Sequence, residues 1–273
     1  MSGIDLLALA EILRRAAAAE ILPRFRRLTP GQVHVKSEAI DLVTEADELA
    51  EKRIKAEVAA LAPEAEFIGE ESVARNGELL HRVGTADLAV VVDPVDGTAN
   101  FAAGIPLFGV MAAVVRQGET VGGIIYDPMG DDWVLAEKGN GAWFRRPDGD
   151  MARLHVAAPK PLAEMVGHAS TSFIPPQGRA EVMSHYAKVR IAANYRNAAH
   201  DYRTFAAGHI QFLMFHRLMP WDHLAGTLIA QEAGGHVAML DGGSYRPGMV
   251  GGGLIAAVNP ESWDLLRREV FTL

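Results

Sequence analysis

Apolar side chains recur at helical spacing through Leu6, Leu7, Ala10, Leu13 and Ala17, and predict a helix over residues 4–22, with Pro30-Gly31 closing the region. Asp47 to Leu61 is a second amphipathic stretch, stopped by Pro63. The period then changes. Phe67-Ile68 is short and strand-like, and Leu88 to Val92 is an unbroken apolar run of the kind that forms a strand buried on both faces. Val110 to Val115 and Val121 to Tyr126 flank Gln117-Gly118-Glu119, and Trp133 to Ala136 and Ala142 to Phe144 flank Lys138 to Gly141. Both pairs read as β-hairpins.

Residues 146–150 (Arg-Pro-Asp-Gly-Asp) are turn-rich, and beyond them strands and helices alternate. Strands are expected at 166–169, 191–195, 212–215, 237–240 and 254–258, and helices at 179–189, 200–207 and 222–233. Asn259-Pro260 supplies an N-cap and a first helical residue for a last helix. Alternation of this kind implies a layered α/β architecture. It predicts one catalytic unit over 1–273, with approximate halves 1–148 and 149–273.

Composition narrows what such a chain can be. Hydrophobic residues make up 49% of the 273 positions and charged residues 22%, enough for a substantial core. The 34 acidic residues outnumber 26 basic ones, and the densest basic clusters are only Arg24-Phe-Arg-Arg27 and Arg145-Arg146. Sequence-independent nucleic-acid binding needs a basic surface and is not expected. The absence of cysteine removes thiolate nucleophiles and Cys-based zinc sites, and suits a reducing cytoplasm. No stretch approaches the ~20 apolar residues that span a bilayer. The run Leu6 to Ala19 is broken by Glu11 and Arg14-Arg15, so it reads as neither membrane segment nor signal peptide. The ten histidines show no metal-binding spacing.

The chemistry sits in three acidic clusters at element ends. Glu70-Glu71 follows Phe67-Ile-Gly69, Asp93 and Asp96 follow the apolar run, and Asp222 opens a helix after Pro220-Trp221. Alone, each has a bland explanation: a surface turn, a solvated face, a helix cap. Together they stand where α/β folds converge on a cleft. Pro94 stiffens the strand exit, Gly97 permits close backbone approach, and the amides of Gly97 and Thr98 can cradle an anion. Hard carboxylate oxygens select Mg²⁺ or Mn²⁺. Two such ions ~3.5–4 Å apart clamp an in-line displacement.

Four ordered segments carry a resemblance to a known family. Asp41 to Asp47 (DLVTEAD), Phe67 to Ser72 (FIGEES), Asp93 to Phe101 (DPVDGTANF) and Trp221-Asp222 with Glu232-Ala-Gly-Gly235 resemble the inositol monophosphatase family, from about Lys36 to the C-terminus. The resemblance implies an αβαβα sandwich of the sugar-phosphatase type, with two mixed sheets between helix layers. It implies a small phosphorylated metabolite as substrate, two to three Mg²⁺ ions with Mn²⁺ as substitute, and a homodimer without membrane partners. Glu70, Asp93 and the carbonyl of Val95 would bind one ion. Asp93, Asp96 and Asp222 would bind a second, and Glu70 with Asp47 through water a weaker third. Glu70, Thr98 and Asp47 would be catalytic, Thr98 activating the attacking water. Asp96, Gly97, Thr98, Arg196, Ala198 and Phe215 would meet phosphate and substrate.

Two positions depart from the family pattern. Arg196 falls where a small residue is common, and either favours a second anionic group, pairs with Asp201 or simply stands at the surface. Phe215 replaces an acid that holds sugar-alcohol hydroxyls, or is a plain core residue. The expected reaction is hydrolysis of a phosphate monoester such as inositol 1-phosphate by metal-activated water. Histidinol phosphate and fructose 1,6-bisphosphate are rival substrates, and a regulatory binding protein of the same fold is the non-enzymatic rival.

Overall fold

The structure, a computed structural model, describes residues 3–35 and 42–273. Lys36 and Asp41, at the start of the expected N-terminal signature, lie outside them. Asp5 caps α1 (Leu6–Ala16), its carboxylate accepting from the amides of Leu7 and Ala8. The helical path continues through a π turn at Ala17–Ile21 and a 3₁₀ turn at Leu22–Arg24. β1 (Val33–Val35) and β2 (Leu42–Thr44) then pair antiparallel as a small ribbon. The hydrophobic pattern had not marked either strand. α2 (Glu45–Leu61) begins two residues ahead of the expected start, because Thr44 and Asp47 close a capping box around its first turn.

Seven strands form the larger sheet. In both chain and spatial order they are β3 (Glu66–Gly69), β4 (Leu88–Asp96), β5 (Gly109–Arg116), β6 (Glu119–Asp127), β7 (Asp132–Glu137), β8 (Ala142–Arg145) and β9 (Met151–Arg153). β3 and β4 run parallel, joined through the short helices α3 (Glu70–Arg75) and α4 (Leu79–Arg82), and the other pairs are antiparallel. The turn at 146–150 is a hairpin connection between β8 and β9. The last strand of the larger sheet therefore lies beyond the 148/149 boundary expected from the sequence. α5 (Thr98–Ala102) follows β4 directly.

The smaller sheet holds β10 (Val166–Ser170), β11 (Ile191–Ala193), β12 (Phe212–Phe215), β13 (His236–Met239) and β14 (Leu254–Ala257), in spatial order β11-β10-β12-β14-β13. Its helices are α6 (Pro176–His185), α7 (Ala198–Ala206), α8 (Pro220–Glu232) and α9 (Pro260–Glu269). β10 pairs parallel with β11 and β12, and β14 pairs antiparallel with β12 and β13, so this sheet is mixed as well.

Side-chain alternation builds the layers. Leu88, Val90 and Val92 of β4 pack with α1 and α2, while Ala89 and Val91 point to the opposite face and pack with α7 and α8. Leu213 and Phe215 join α7 and α8 from the smaller sheet, and Phe212 and Met214 turn the other way toward α6 and α9. The result is the αβαβα sandwich. It explains the unbroken apolar run at 88–92: with helices on both faces, no position in that strand is solvated.

Close packing in the middle helix layer has a sharp requirement at Gly226 of α8, where an added Cβ would overlap the ring of buried Tyr202 on α7. Gly226→Ala should destabilise the protein by about 1–3 kcal/mol. Calorimetric melting of the variant against wild type measures this, and an unchanged melting temperature would refute the packing.

Candidate active site

β3 and β4 are parallel neighbours with Gly69 opposite Val92. Their C-terminal ends therefore emerge side by side, and deliver Glu70 and Asp93 to one edge of the sheet. Past Asp93 the pairing of β4 with β5 shifts register until Asp96 meets Gly109. Asp93 Oδ1 accepts the Val95 amide at 2.9 Å, an Asx turn that bends residues 93–96 into the cleft. Asp222 enters from the first turn of α8. Oxygens of Asp93, Asp96 and Asp222 lie within 4.8 Å of one another. Glu70 lines the same cavity of about 380 Å³, together with Val95, Gly97 and Thr98.

Asp93 and Asp96 are only 2% and 8% exposed, so their charges are weakly screened by water. Burial, and then the charges of Glu70, Asp96, Asp222 and Asp47, push the Asp93 carboxyl well above the usual carboxylate range. Asp96 is pushed up in the same way by burial and by Asp222, against the opposing pull of the Ala199 and Ala198 amides. Hard oxygen donors that repel one another this strongly in a buried cleft fit a divalent cation.

Asp96 and Asp47 are each held by several donors. Asp96 Oδ2 accepts from Asn197 Nδ2 at 2.8 Å and from the Ala199 amide, and Asn197 Nδ2 also reaches the Asp96 carbonyl at 2.6 Å. Asn197 is the N-cap of α7, its own Oδ1 accepting the His200 amide at 2.7 Å. Asp47 is fully buried: its Oδ2 accepts the Thr44 amide at 2.9 Å and the Thr44 hydroxyl at 2.6 Å. The other oxygen, Oδ1, lies 3.0 Å from the Thr98 hydroxyl, which is also 3.0 Å from the Val95 carbonyl. Gly97, between strand and α5, adopts φ 90°, and a Cβ there would come within 2.6 Å of Asn197 Nδ2 and 2.9 Å of the Leu107 carbonyl.

The cleft thus gathers Glu70, Asp93, Val95, Asp96, Gly97, Thr98, Arg196, Ala198, Phe215 and Asp222 around one cavity, with Asp47 behind Thr98. Three expectations change in detail. The Ala198 and Ala199 amides turn to Asp96, so Ala198 lines the cavity with its donor already engaged. Arg196 is exposed at φ 55° and does not pair with Asp201, whose carboxylate meets His168 Nδ1 at 2.7 Å instead. Phe215 is both a core and a cavity residue, stacked on Tyr202 at 5.2 Å.

Sequence reasoning overlooked Asn197 and Glu51. Asn197 precedes Ala-Ala-His-Asp, a readable N-cap signal. Glu51 stands four residues after Asp47, on the same helical face. It is 1% exposed and accepts from the Glu71 amide and the Ser72 hydroxyl, both at 2.7 Å, and so fixes the start of α3 beside Glu70. His223 is no metal ligand: Nε2 donates to the Arg217 carbonyl at 3.0 Å, Nδ1 accepts from the Tyr202 hydroxyl at 3.1 Å, and burial pushes its pKa down to about 3.

Known proteins share this architecture. A sequence model of the inositol monophosphatase family matches residues 5–270. The inositol-1-monophosphatase of Mesorhizobium japonicum is 35% identical over 250 residues, 86% of this chain and 87% of its own. The Nus factor SuhB of Pasteurella multocida is 34% identical over 250 residues, 89% and 87% of the two chains. Among solved structures, a Thermotoga maritima IMPase superposes with a TM-score of 0.79 at 26% identity, covering 96% of this chain and 93% of that one.

Asp93 gives a direct check on the electrostatics. Its folded-state pKa is raised, so in the absence of cations the unfolded chain gives up this proton first. Stability then falls as pH climbs from the ordinary Asp value of about 3.9 toward the raised one. In EDTA, Asp93→Asn should melt at or above wild type near pH 7, with the gap closing toward about pH 4. A variant melting below wild type at neutral pH would contradict this.

Proposed function

The chain belongs to the inositol monophosphatase family and is a phosphatase, and from that premise we propose an Mg²⁺-dependent hydrolysis of a small phosphate monoester, such as inositol 1-phosphate, by direct attack of water. The observation that carries the reading is the convergence of the Asp93, Asp96 and Asp222 carboxylates in a buried cleft beside Glu70. Glu70, Asp93 and the Val95 carbonyl would hold one ion. Asp93, Asp96 and Asp222 would hold a second, and Glu70 with Asp47 through water a third. Such ions, once bound, offset the clustered negative charge and acidify water. Mn²⁺ would serve the same oxygens.

The chain's own groups do the rest. In this reading the Thr98 hydroxyl donates its hydrogen bond to Asp47 Oδ1 and turns a lone pair to the attacking water, orienting it and accepting its hydrogen bond. That role is supported by the 3.0 Å contact and by the Thr44 donors that keep Asp47 in place. The amides of Gly97 and Thr98 hold phosphate oxygens, for which Gly97 supplies a backbone path no larger residue could follow. No covalent phosphoenzyme forms. The two halves act as one catalytic unit, since Asp222 from the second completes the acids of the first. The setting we propose is a cytoplasmic homodimer with neither nucleic acid nor membrane as partner. The cysteine-free, acidic chain suits it, and no helix among the described residues is long and apolar enough to cross a membrane.

The name of the Pasteurella relative raises a second reading, a regulatory binding protein of the same fold. Retention of Glu70, Asp93, Asp96, Thr98 and Asp222 around one cavity favours the enzyme.

Phosphate release from inositol 1-phosphate, histidinol phosphate and fructose 1,6-bisphosphate with Mg²⁺ tests the reading. Asp93→Asn should lower turnover on every substrate cleaved by at least about a hundredfold, the scale of losing one preorganised stabilising group. Mg²⁺ at a hundred times its Kd should stabilise wild type by about 2.7 kcal/mol and the variant far less. Wild-type turnover in Asp93→Asn would sink the metal-site assignment.

A further inference from the structure

Among the described residues five carboxylates line the cavity, and one of them has no place in the proposed metal set. Glu70, Asp93, Asp96 and Asp222 are the candidate ion ligands; Asp201 is not. It stands in the first turn of α7 and is 3% exposed. Its Oδ1 lies 2.7 Å from Nδ1 of His168 on β10. The His168 ring is buried in turn, with the Tyr195 ring against it at a centroid distance of 4.0 Å. The Tyr195 carbonyl accepts from Asn100 Nδ2 at 2.8 Å, which ties this segment to α5. A carboxylate held at one oxygen by an imidazole that is itself clamped keeps a fixed orientation.

No other described residue bonds to the Asp201 side chain, so Oδ2 has no protein partner. Ser170, Asn194 and Asn197 line the same cavity, and none of them reaches it. Burial pushes the Asp201 carboxyl above the usual carboxylate range, and the His168 contact pulls it back only in part. A buried carboxylate in that condition gains from one more donor. Phe173 and Phe215 bring rings, not donors, to the cavity.

We infer that Asp201, oriented by His168, is the residue that selects the alcohol part of the substrate, its Oδ2 accepting a hydrogen bond from a hydroxyl carried by that alcohol. Arg196 lines the same cavity and opposes an ammonium there, so a neutral donor is the better fit. The inference rests on the phosphatase reading above and deepens it by naming a specificity residue. His168 is a positioning residue, since it acts through Asp201. A His–Asp pair that merely held α7 to β10 would affect every ester alike, whereas a selecting acid acts on those that bear the hydroxyl.

Matched esters separate the two. Inositol 1-phosphate and cyclohexyl phosphate differ by their hydroxyls, as do sn-glycerol 3-phosphate and propyl phosphate. The members of a pair also differ as leaving groups, but that difference is common to wild type and variant. It cancels when the ratio of kcat/KM within a pair is compared between proteins. With Mg²⁺ present, Asp201→Asn should lower that ratio about tenfold for at least one pair, chiefly through KM, the scale of trading a charge-assisted hydrogen bond for a neutral one. His168→Asn, which keeps a donor near the Nδ1 position, should retain more of the ratio than His168→Leu, which keeps none. Should Asp201→Asn melt far below wild type, the two His168 variants carry the comparison. A ratio unchanged by these substitutions, or an equal loss on both members of each pair, overturns the assignment. A larger fall for O-phosphoethanolamine against ethyl phosphate than for either hydroxyl pair overturns the choice of a hydroxyl.

A wild-type protein that releases no phosphate even from p-nitrophenyl phosphate refutes the phosphatase reading by itself. Asp201 is then judged by calorimetric titration with Mg²⁺ present, and the same titration decides where wild type cleaves neither pair. Binding of inositol 1-phosphate weakened about tenfold more than that of cyclohexyl phosphate in Asp201→Asn upholds the assignment; equal weakening of the two, or no detectable binding to wild type, overturns it.

Discussion

Like charges held within a few ångströms of one another repel, and burial leaves Asp93 and Asp96 little water to screen them. Asp93, Asp96 and Asp222 are held in that relation at the end of β4. A chain free to relax would let them separate. This one denies Asp93 and Asp96 that freedom by giving each of them donors of its own. Asp93 is bound by the amide of Val95, Asp96 by Asn197 and the start of α7, and Asp47 by the cap of α2. Hydrogen bonds to carboxylates are among the stronger ones, and several together withstand the repulsion that remains.

The layers follow from that requirement. A parallel β3–β4 pair is needed to bring Glu70 beside Asp93, and a parallel pair needs a crossover, supplied by α3 and α4. Glu51 closes the crossover by capping the start of α3 from α2. The middle helix layer serves two ends. α7 and α8 bury apolar faces of both sheets, and their N-terminal turns carry Asn197 and Asp222 to the cleft. Core packing and site geometry therefore share one set of contacts, and the ring of Tyr202 shows it: it packs against Gly226, stacks on Phe215, and its hydroxyl orients His223.

Much of this was legible in the sequence because its signals are local. The apolar run at 88–92 announced a strand covered on both faces, the Gly-containing turns announced hairpins, and residues 93–98 announced a strand exit shaped for an anion. What escaped is non-local or too short to carry a period. β1 and β2 have three residues each, fewer than an alternation needs to be seen. All three residues of β9 face solvent, so no hydrophobic pattern marks it. The bond from Asn197 to Asp96 joins residues 101 positions apart, and no spacing rule reaches that far. The same bond explains the revised role of Ala198: once α7 starts against Asp96, its first amides go to that carboxylate. Asp201 eluded prediction in a similar way, because its partner His168 comes from β10.

The two sides of the cavity are built under different rules. Asp93 and Asp96 on the acidic side are buried, and Asp96 is tied to the cap of α7 in the middle helix layer, so a change there disturbs contacts in more than one layer. Arg196 and Arg217 sit on connections, the first exposed in a left-handed turn and the second just past the end of β12. Substitutions on such connections cost little stability, because few buried contacts depend on them. The fold can therefore keep one way of cleaving a phosphate ester while such a connection exchanges a small residue for a guanidinium. Chemistry is anchored by the core of this protein, and variation is left to its rim.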